Sequence, residues 1–336
     1  MIFGLPRSGT TWLGKIFDSH PRTLYRHEPD NYPRLESLPR FPSPAEAEAH
    51  LEFLHDFVAE LPRRNDVTVA AKLPIFRKAW RNPLQHRLLQ AAVLAAKLGG
   101  KAGLELPVLG ARGDGIDPSP TVVWKSIESL GRFGLLMRAY PAARGIHLMR
   151  HPCGQISSVL RGERQGAFRD NSPTSEFYDL FVKLLETPQA RRRGLTIETL
   201  RHMRPVERLA WTWVLENEKA VEETEQSERV RVVRYEDLCA DPVGVSREVL
   251  SFAGLGWNVQ TEGFVAQSTH SDVSAYYSVY KNPVAAASRW HNELPAESIE
   301  RILAILKSSP LAKFYSDDEE SGHDYPQSAK IGESEC

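Results

Sequence analysis

Cysteine is scarce in this chain of 336 residues, which contains only Cys153, Cys239 and Cys336. The three are far apart and match neither the spacing of a zinc site nor that of a disulfide framework. Unpaired thiols of this kind are typical of a reducing compartment. We therefore expect no disulfide, no bound metal and a cytoplasmic location.

Net charge and long apolar runs are also lacking. The formal charge is −1, so no overall basic field predicts binding to nucleic acid or to an anionic membrane. No apolar run approaches the ~20 residues that span a bilayer, and the nearest candidate, residues 88–98, contains Lys97. No charged-then-apolar leader precedes the first predicted strand. We expect no transmembrane segment, unless an anchor upstream of residue 1 has been removed.

Predicted strands alternate with predicted helices along the chain. Short runs rich in β-branched or apolar residues predict strands at 1–5, 23–29, 121–126, 145–150 and 229–237, with a strand-like segment at 67–73. Helical spacing predicts helices at 46–60, 82–98, 127–140 and 206–225, with others after residues 12, 152 and 242. This alternation is typical of a three-layer α/β fold with a central parallel sheet.

One domain is predicted over residues 1–315. The segments near 30–120 and 162–205 are broken by loops, and we interpret them as insertions that shape a substrate pocket. Residues 316–336 are polar, acidic and rich in Gly and Ser, which indicates a disordered tail.

The first twelve residues, MIFGLPRSGTTW, carry the strongest motif. They predict a strand, a tight loop and a helix, an arrangement whose backbone N–H groups suit a phosphate or another tetrahedral oxyanion. Gly4 and Gly9 have the spacing of the glycines in G-x-x-x-x-G-K-[ST], and Thr11 takes the Ser/Thr position. Thr10 replaces the lysine that reaches the β- and γ-phosphates of a nucleoside triphosphate. The loop therefore predicts an anion site that is not built for ATP.

The string Pro-Arg-Ser-Gly-Thr-Thr-Trp after the first strand resembles the 5′-phosphosulfate-binding loop of the sulfotransferase family. These enzymes use 3′-phosphoadenosine 5′-phosphosulfate (PAPS) as donor and release PAP. The resemblance implies a P-loop NTPase-like sandwich and a donor site in this loop, made by Arg7, Ser8, Gly9, Thr10 and Thr11. Trp12 is expected either to stack on adenine or to pack in the core.

Later segments extend the resemblance to about residue 295. Arg150 follows a predicted strand and Ser158 comes eight residues later, as in the family's 3′-phosphate-binding segment. The strings VVWKS, which includes Lys125, and VRYEDL, at residues 233–238, resemble two strand ends of the family. Ser288-Arg289-Trp290 resembles the closing segment that approaches the 3′-phosphate. The Arg-Lys-Gly triplet of the cytosolic branch is missing here, which leaves Arg289 or Lys281-Asn282 for that role.

Sulfuryl transfer needs positive groups near the leaving and transferred oxygens and a base for the acceptor hydroxyl. We expect Arg7 to serve the leaving oxygen. Lys125 either neutralises the sulfuryl group or forms a buried structural ion pair. Glu28 resembles the base of carbohydrate and bacterial sulfotransferases, with His27 as the rival base and a surface carboxylate as the other interpretation.

The leading hypothesis is a PAPS-dependent sulfotransferase acting on a hydroxyl of a small molecule, glycan or glycolipid. The alternatives are a P-loop kinase or NTPase with a degenerate loop, and a catalytically silent nucleotide-binding protein. No metal is implied, and nothing in the sequence indicates the oligomeric state. Aromatic residues that could line the acceptor pocket or simply pack are Tyr25, Phe168, Tyr276, Tyr277 and Tyr280.

Overall fold

The computed structural model describes residues 1–31, 35–43, 46, 48–167, 173–270, 279–280 and 282–315. Within these ranges, five strands form one parallel sheet in the order β2-β3-β1-β4-β5. The strands are β1 (Ile2–Phe3), β2 (Thr23–His27), β3 (Thr121–Ser126), β4 (Gly145–Met149) and β5 (Val230–Arg234). The prediction of an α/β fold around a parallel sheet is confirmed.

Helices connect and cover the strands. The α-helices are α1 (Thr10–Ser19), α2 (Leu51–Glu60), α3 (Val67–Ala70), α4 (Pro83–Lys101), α5 (Phe133–Ala139), α6 (Pro152–Arg164), α7 (Tyr178–Leu185), α8 (Pro188–Arg191), α9 (Ile197–His202), α10 (Pro205–Thr224), α11 (Tyr235–Ala240), α12 (Pro242–Phe252), α13 (Val259–His270), α14 (Pro283–Ser288), α15 (Trp290–Glu293) and α16 (Ala296–Lys307). Short 3₁₀ helices lie at Glu48–His50, Leu61–Arg63, Leu130–Arg132, Thr174–Glu176 and Pro310–Phe314. None of the helices in the described ranges is long and apolar enough to cross a membrane.

Neighbouring residues of a strand pack into two different cores, one on each face of the sheet. Ile2 and Val123 belong to a cluster with residues of α1, α12 and α13. Phe3 and Trp124 belong to a second cluster with residues of α5, α10 and α16. Because side chains alternate across a strand, this division follows directly from the sequence order. The result is a helix–sheet–helix sandwich of three layers.

The segment at 67–73, predicted to be strand-like, is partly helical instead. Val67–Ala70 forms α3, and the Asp66 side chain accepts a hydrogen bond from the backbone N–H of Val69 at 3.3 Å. This N-cap stabilises the first helical turn. The β-branched residues of this segment favoured a strand in the prediction. The segment does not join the sheet, however, and β-branched side chains favour a strand mainly through packing against neighbouring strands.

Three other predictions need correction. β5 ends at Arg234, and Tyr235 begins α11, so the YEDL string starts a helix rather than ending a strand. The predicted helix at 127–140 is α-helical only in α5, after a 3₁₀ turn. The 162–205 insertion contains α7, α8 and α9, with Thr187 and Thr196 as N-caps of the last two. The predicted tail, 316–336, lies outside the described residues.

A buried ionic cluster joins α1 to the chain that follows α3. The Asp18 carboxylate contacts the Lys15 ammonium, and its Oδ1 accepts a hydrogen bond from Lys78 Nζ at 2.9 Å. All three residues are buried. Burial alone would raise the pKa of Asp18, but the two lysines outweigh it and lower that pKa. Because the pKa of Asp18 is lower in the folded state than in the unfolded state, its ionised carboxylate stabilises the fold. This stabilisation is lost as the pH falls through the lowered pKa.

We expect Asp18→Ala to lower the free energy of unfolding by about 3–5 kcal/mol, because it leaves two buried ammonium groups without their carboxylate. Urea unfolding at neutral pH measures the loss. The control is Glu60→Ala, since Glu60 pairs with Arg63 at 2.6 Å where both side chains are more than half exposed. That variant should lose no more than about 1 kcal/mol. Equal losses in the two variants would show that the cluster does not stabilise the fold.

Candidate active site

A cavity of about 900 Å³ opens where the parallel strands end. The carboxyl ends of β1 to β4 lead into the segments that line it, as expected for ligand sites in open α/β sheets. The cavity brings together most of the residues that the sequence singled out. Those that line it are Arg7, Gly9, Thr10, Thr11, Trp12, His27, Glu28, Lys125, Arg150, Ser158 and Arg289.

Two glycines allow the loop after β1 to pack closely. Gly9 has φ of +93°, and a Cβ built there would lie 2.4 Å from Cδ2 of Tyr235. A Cβ on Gly4 would lie 2.3 Å from the backbone oxygen of Leu148. Both distances are far below van der Waals contact. The loop geometry therefore requires glycine at both positions of the motif.

Ser8 is the one predicted loop residue that does not line the cavity. It is 2% exposed, and its backbone N–H and its hydroxyl both donate to the carbonyl of Leu5, at 3.2 and 2.7 Å. These bonds close the turn. Ser8 therefore shapes the loop here, and its direct contact with an anion stays a prediction.

The β1 loop contacts the segment that follows β4. Arg7 Nε donates a hydrogen bond to Ser158 Oγ at 3.1 Å, and Arg150 Nη1 donates to the carbonyl of Arg7 at 3.1 Å. Gln155 Nε2 adds a third bond, to the carbonyl of Pro6 at 2.9 Å. The two segments that the sequence predicts to hold two different phosphates therefore form one connected surface.

Arg150 is fixed by several partners. Its guanidinium lies over the ring of Tyr235, 4.6 Å from the centroid, and Nη2 donates to the carbonyl of Ala286 at 2.7 Å. Its Nε is buried and has no hydrogen-bond partner among the residues that the structure describes. A buried guanidinium with an unused donor suits an anionic ligand.

Arg289 and Trp12 occupy different depths of the same region. Arg289 is exposed and lies just after α14, at the rim of the cavity. Trp12 is 9% exposed, and its indole N–H donates to Ser268 Oγ at 3.0 Å. Its ring also packs edge-on against Tyr235. Trp12 thus has a structural role in the core, and its stacking on adenine stays a prediction.

Glu28 and Lys125 form the other end of the site. The Lys125 ammonium contacts Glu28 Oε1, and the backbone N–H of Glu28 donates to the carbonyl of Lys125 at 2.8 Å. Lys125 is 1% exposed. Glu28 has φ of +47° and Arg7 has φ of +72°, and no other non-glycine residue in the described part of the chain has a positive φ. Strained backbone of this kind occurs preferentially at functional sites.

His27 lies beside this ion pair but is held neutral. Burial, followed by the charge of Lys125, lowers its pKa well below the usual range. Burial also raises the pKa of Tyr25 well above normal, so the phenol keeps its proton. The Tyr25 hydroxyl lies 2.9 Å from His27 Nδ1, and we assign it as the donor. The proton of His27 is then on Nε2, 3.7 Å from Glu28 Oε1.

Sequence reasoning missed two buried carboxyl groups. Glu216 lines the cavity from α10, and burial raises its pKa to about 7. Glu236 accepts a hydrogen bond from the backbone N–H of His151 at 3.1 Å, and burial raises its pKa to about 7 as well. Glu216 lies in a helix with no local motif, so only the tertiary packing identifies it. Glu236 belongs to the VRYEDL string, but nothing in that string indicates that its carboxyl group is buried.

The aromatic residues proposed for an acceptor pocket do not form one in the described ranges. Tyr25 lies on β2 and is buried in the core, and Tyr280 packs against Phe264. Phe168, Tyr276 and Tyr277 lie outside the described residues, as does Lys281. In the part of the chain that is described, no three His, Cys, Asp or Glu side chains group as metal ligands would.

Comparison with protein families identifies the chain. Residues 1–259 match the family model described as "Sulfotransferase family", so the chain belongs to the sulfotransferases and is an enzyme of this class. Carbohydrate sulfotransferase 5 of Mus musculus is 26% identical over 321 residues, which cover 88% of this chain and 75% of that protein. Carbohydrate sulfotransferase 6 of Homo sapiens is 29% identical over 104 residues, which cover 27% of this chain and 26% of that protein. The predicted family membership is confirmed.

Solved structures similar to this chain include two sulfotransferases. The sulfotransferase domain from the curacin biosynthetic pathway is 16% identical with a TM-score of 0.42, and the match covers 93% of this chain and 98% of that domain. A mouse sulfotransferase complexed with PAP is 12% identical with a TM-score of 0.44, covering 95% of this chain and 86% of that protein.

We expect Gly9→Ala to lower the free energy of unfolding by about 2–4 kcal/mol, because the new Cβ adds a clash with Tyr235 to the strain of a positive φ. Urea unfolding measures the loss. The control is Gly110→Ala, where φ is +76° but nothing lies within 4 Å of the added Cβ. It should lose only about 1–2 kcal/mol. If both variants lose the same amount, the Tyr235 ring does not constrain the loop.

Proposed function

We propose that this enzyme transfers a sulfuryl group from PAPS to an acceptor hydroxyl. One observation carries the proposal: a single cavity joins a phosphate-type loop and the Arg150/Ser158 pair to the Lys125–Glu28 ion pair. The first two features suit a nucleotide with two separate phosphates. The third supplies a cation and a base where transfer would occur.

The donor end of the cavity fits an anion at two points. The loop at Arg7–Thr11 and the N-terminus of α1 offer backbone donors and the positive end of a helix dipole, which suit the 5′-phosphosulfate. Arg150 and Ser158 suit the 3′-phosphate, since Arg150 has a buried donor without a partner. Arg289 at the rim suits the same phosphate.

The chemistry is an in-line displacement at sulfur. The acceptor oxygen forms a bond to sulfur, the bond from sulfur to the 5′-phosphate oxygen breaks, and PAP is the product that leaves. Glu28 takes the proton of the acceptor hydroxyl. Lys125 offsets the charge on the transferred group and Arg7 the charge on the leaving oxygen, as cations do in phosphoryl transfer.

Glu28 is better placed than His27 to act as the base. His27 uses Nδ1 as an acceptor for Tyr25 and carries its proton on Nε2, so neither ring nitrogen is free to accept a proton. Glu28 is part-exposed, with 17% of its side chain accessible, and it lines the cavity. These contacts support Glu28 as the base.

The similarity to carbohydrate sulfotransferases supports a glycan hydroxyl as the acceptor. A small-molecule alcohol and a glycolipid are the alternative acceptors that the sequence suggests. The cytoplasmic location stays a prediction.

A titration of the protein with PAP tests the donor. We expect PAP at ~100 times its dissociation constant to add ~2.7 kcal/mol to the free energy of unfolding. AMP, which lacks the 3′-phosphate, should add much less. Ser158→Ala and Arg150→Met should each weaken PAP binding by about tenfold or more while changing AMP binding little, because each removes a hydrogen bond to the 3′-phosphate. Calorimetric titration measures both ligands.

ATP with magnesium is the control ligand for the alternative. Stabilisation by ATP and magnesium rather than by PAP would overturn the proposal and favour a kinase with a degenerate loop. Tight PAP binding without turnover of PAPS on any hydroxyl acceptor would favour a silent nucleotide-binding protein.

We expect Glu28→Gln to reduce kcat by ~10²–10⁴ while the affinity for PAP stays unchanged, because the amide keeps the shape of the carboxylate but cannot take the proton. Rates of PAP release from PAPS with an acceptor, together with PAP titrations, measure the two quantities.

The matched control is Glu128→Gln. Glu128 also lines the cavity and also pairs with a cation, Arg40 Nη1, at 3.1 Å. It should retain most of its activity. Full activity in Glu28→Gln would remove Glu28 from the role of base.

A further inference from the structure

The cavity carries more positive than negative charge. Among the described residues that line it are eight Arg or Lys side chains and three Glu side chains. Three of the cations have carboxylate partners: Lys125 with Glu28, Arg40 with Glu128, and Arg161 with Glu293. Three more, Arg7, Arg150 and Arg289, lie at the donor end. This leaves two lysines without an assigned partner.

Those two lysines are Lys72 and Lys97. Both are half-buried and line the cavity, Lys72 just after α3 and Lys97 on α4. Within the described ranges, neither ammonium group has a hydrogen bond or an ion pair. The backbone of Lys72 is fixed, since its carbonyl accepts a hydrogen bond from Lys15 Nζ at 2.9 Å.

The charges that affect nearby pKa values place both lysines near Lys125, Glu28 and His27, the residues at the end of the cavity where transfer is proposed. Burial, then Lys125, lowers the pKa of Lys72, and Glu28 counteracts this. Lys72 and Lys97 also contribute to the lowered pKa of His27. Cations that line one cavity and have no carboxylate between them repel each other. An anion among them would relieve that repulsion.

The order of the sheet separates these lysines from the donor site. Arg150 and Ser158 follow β4, on one side of the central strand β1. His27 and Glu28 follow β2, on the other side and at the edge of the sheet. Lys72 and Lys97 therefore lie with Glu28, opposite the residues that suit the 3′-phosphate. A ligand that contacts both lysines enters from the acceptor side.

We propose that Lys72 and Lys97 bind a negatively charged group of the acceptor, such as a carboxylate or a sulfate or phosphate ester, next to the hydroxyl that is sulfated. This inference rests on the proposed function and names the substrate class of that site: an anionic acceptor rather than a neutral one. The third acidic residue of the cavity, Glu216, is influenced by Arg40, Glu128 and Arg132 instead, so it does not neutralise the lysines.

Two sugars that differ in one charge provide the test. The probes are p-nitrophenyl β-D-glucuronide and p-nitrophenyl β-D-glucoside, titrated by calorimetry into the full chain with and without saturating PAP. We expect the wild type to bind the glucuronide about tenfold more tightly, as charge-assisted hydrogen bonds are stronger than neutral ones. The double variant Lys72→Met/Lys97→Met should bind both sugars equally.

The control is Lys101→Met, which removes an exposed lysine four residues after Lys97 on the same helix. It should keep the preference of the wild type. PAP affinity should stay within about twofold in all variants, because the lysines lie away from the donor site; retained PAP binding also shows that each variant folds.

The outcomes separate the two proposals. Failure of the wild type to bind PAP overturns the proposed donor, while the sugar titrations without PAP still measure the preference for charge. A wild type without that preference, or a double variant that retains it, overturns the anionic acceptor and leaves the donor proposal intact. A double variant that loses PAP affinity at least tenfold would show that the lysines contact the donor, which also overturns this inference.

Discussion

Repulsion between cationic side chains is the constraint that the fold must satisfy around the site. Backbone carbonyls and an aromatic ring hold one of these side chains, Arg150, in place. Arg150 donates to the carbonyls of Arg7 and Ala286 and lies over Tyr235. Carbonyl partners fix a guanidinium without cancelling its charge, so that charge remains available to a ligand.

The backbone is strained at two residues whose side chains face the cavity. Arg7 and Glu28 adopt positive φ values, and each stands at the carboxyl end of a strand and at the edge of the cavity. Glycine would relieve this strain at either position, but it could neither pair with Lys125 nor donate to Ser158. Local preference is overridden where a functional side chain is needed.

How much the sequence could predict depended on how local each feature is. The β1 loop is encoded within twelve residues, because a strand, two glycines and a helix start suffice to form it, and the structure has the predicted order of strand, loop and helix. Arg150 and Ser158 were also within reach, since both follow one strand. The insertions were harder to predict. Short helices such as α3 and α8 depend on single N-caps, Asp66 and Thr187, and on packing against distant elements, β2 for α3 and α10 for α8.

The side of the cavity that we propose for the acceptor could not be predicted from the sequence, because it depends on tertiary contacts alone. Lys72, Lys97 and Glu216 come from three separate helical regions that no motif links, so their meeting in one cavity could not be read from the sequence. Glu28 and Lys125 were predicted as separate residues, and a buried ion pair, with no partner named, was one of two interpretations of Lys125. The pairing follows from β2 lying beside β3, with His27 in register with Lys125.

This pairing also couples the two halves of the proposed chemistry. While Glu28 is ionised, its charge offsets that of Lys125, and the buried pair is nearly neutral. Once Glu28 takes the acceptor proton, Lys125 has no counter-charge.

The loss of this counter-charge occurs as negative charge develops on the oxygens of the transferred group and of the leaving phosphate. Lys125 then interacts with those oxygens instead. Because the pair is largely buried, with Lys125 at 1% exposure, water screens this exchange little. In the proposed mechanism, proton transfer to Glu28 therefore strengthens the electrostatic stabilisation of the transition state rather than merely preceding it.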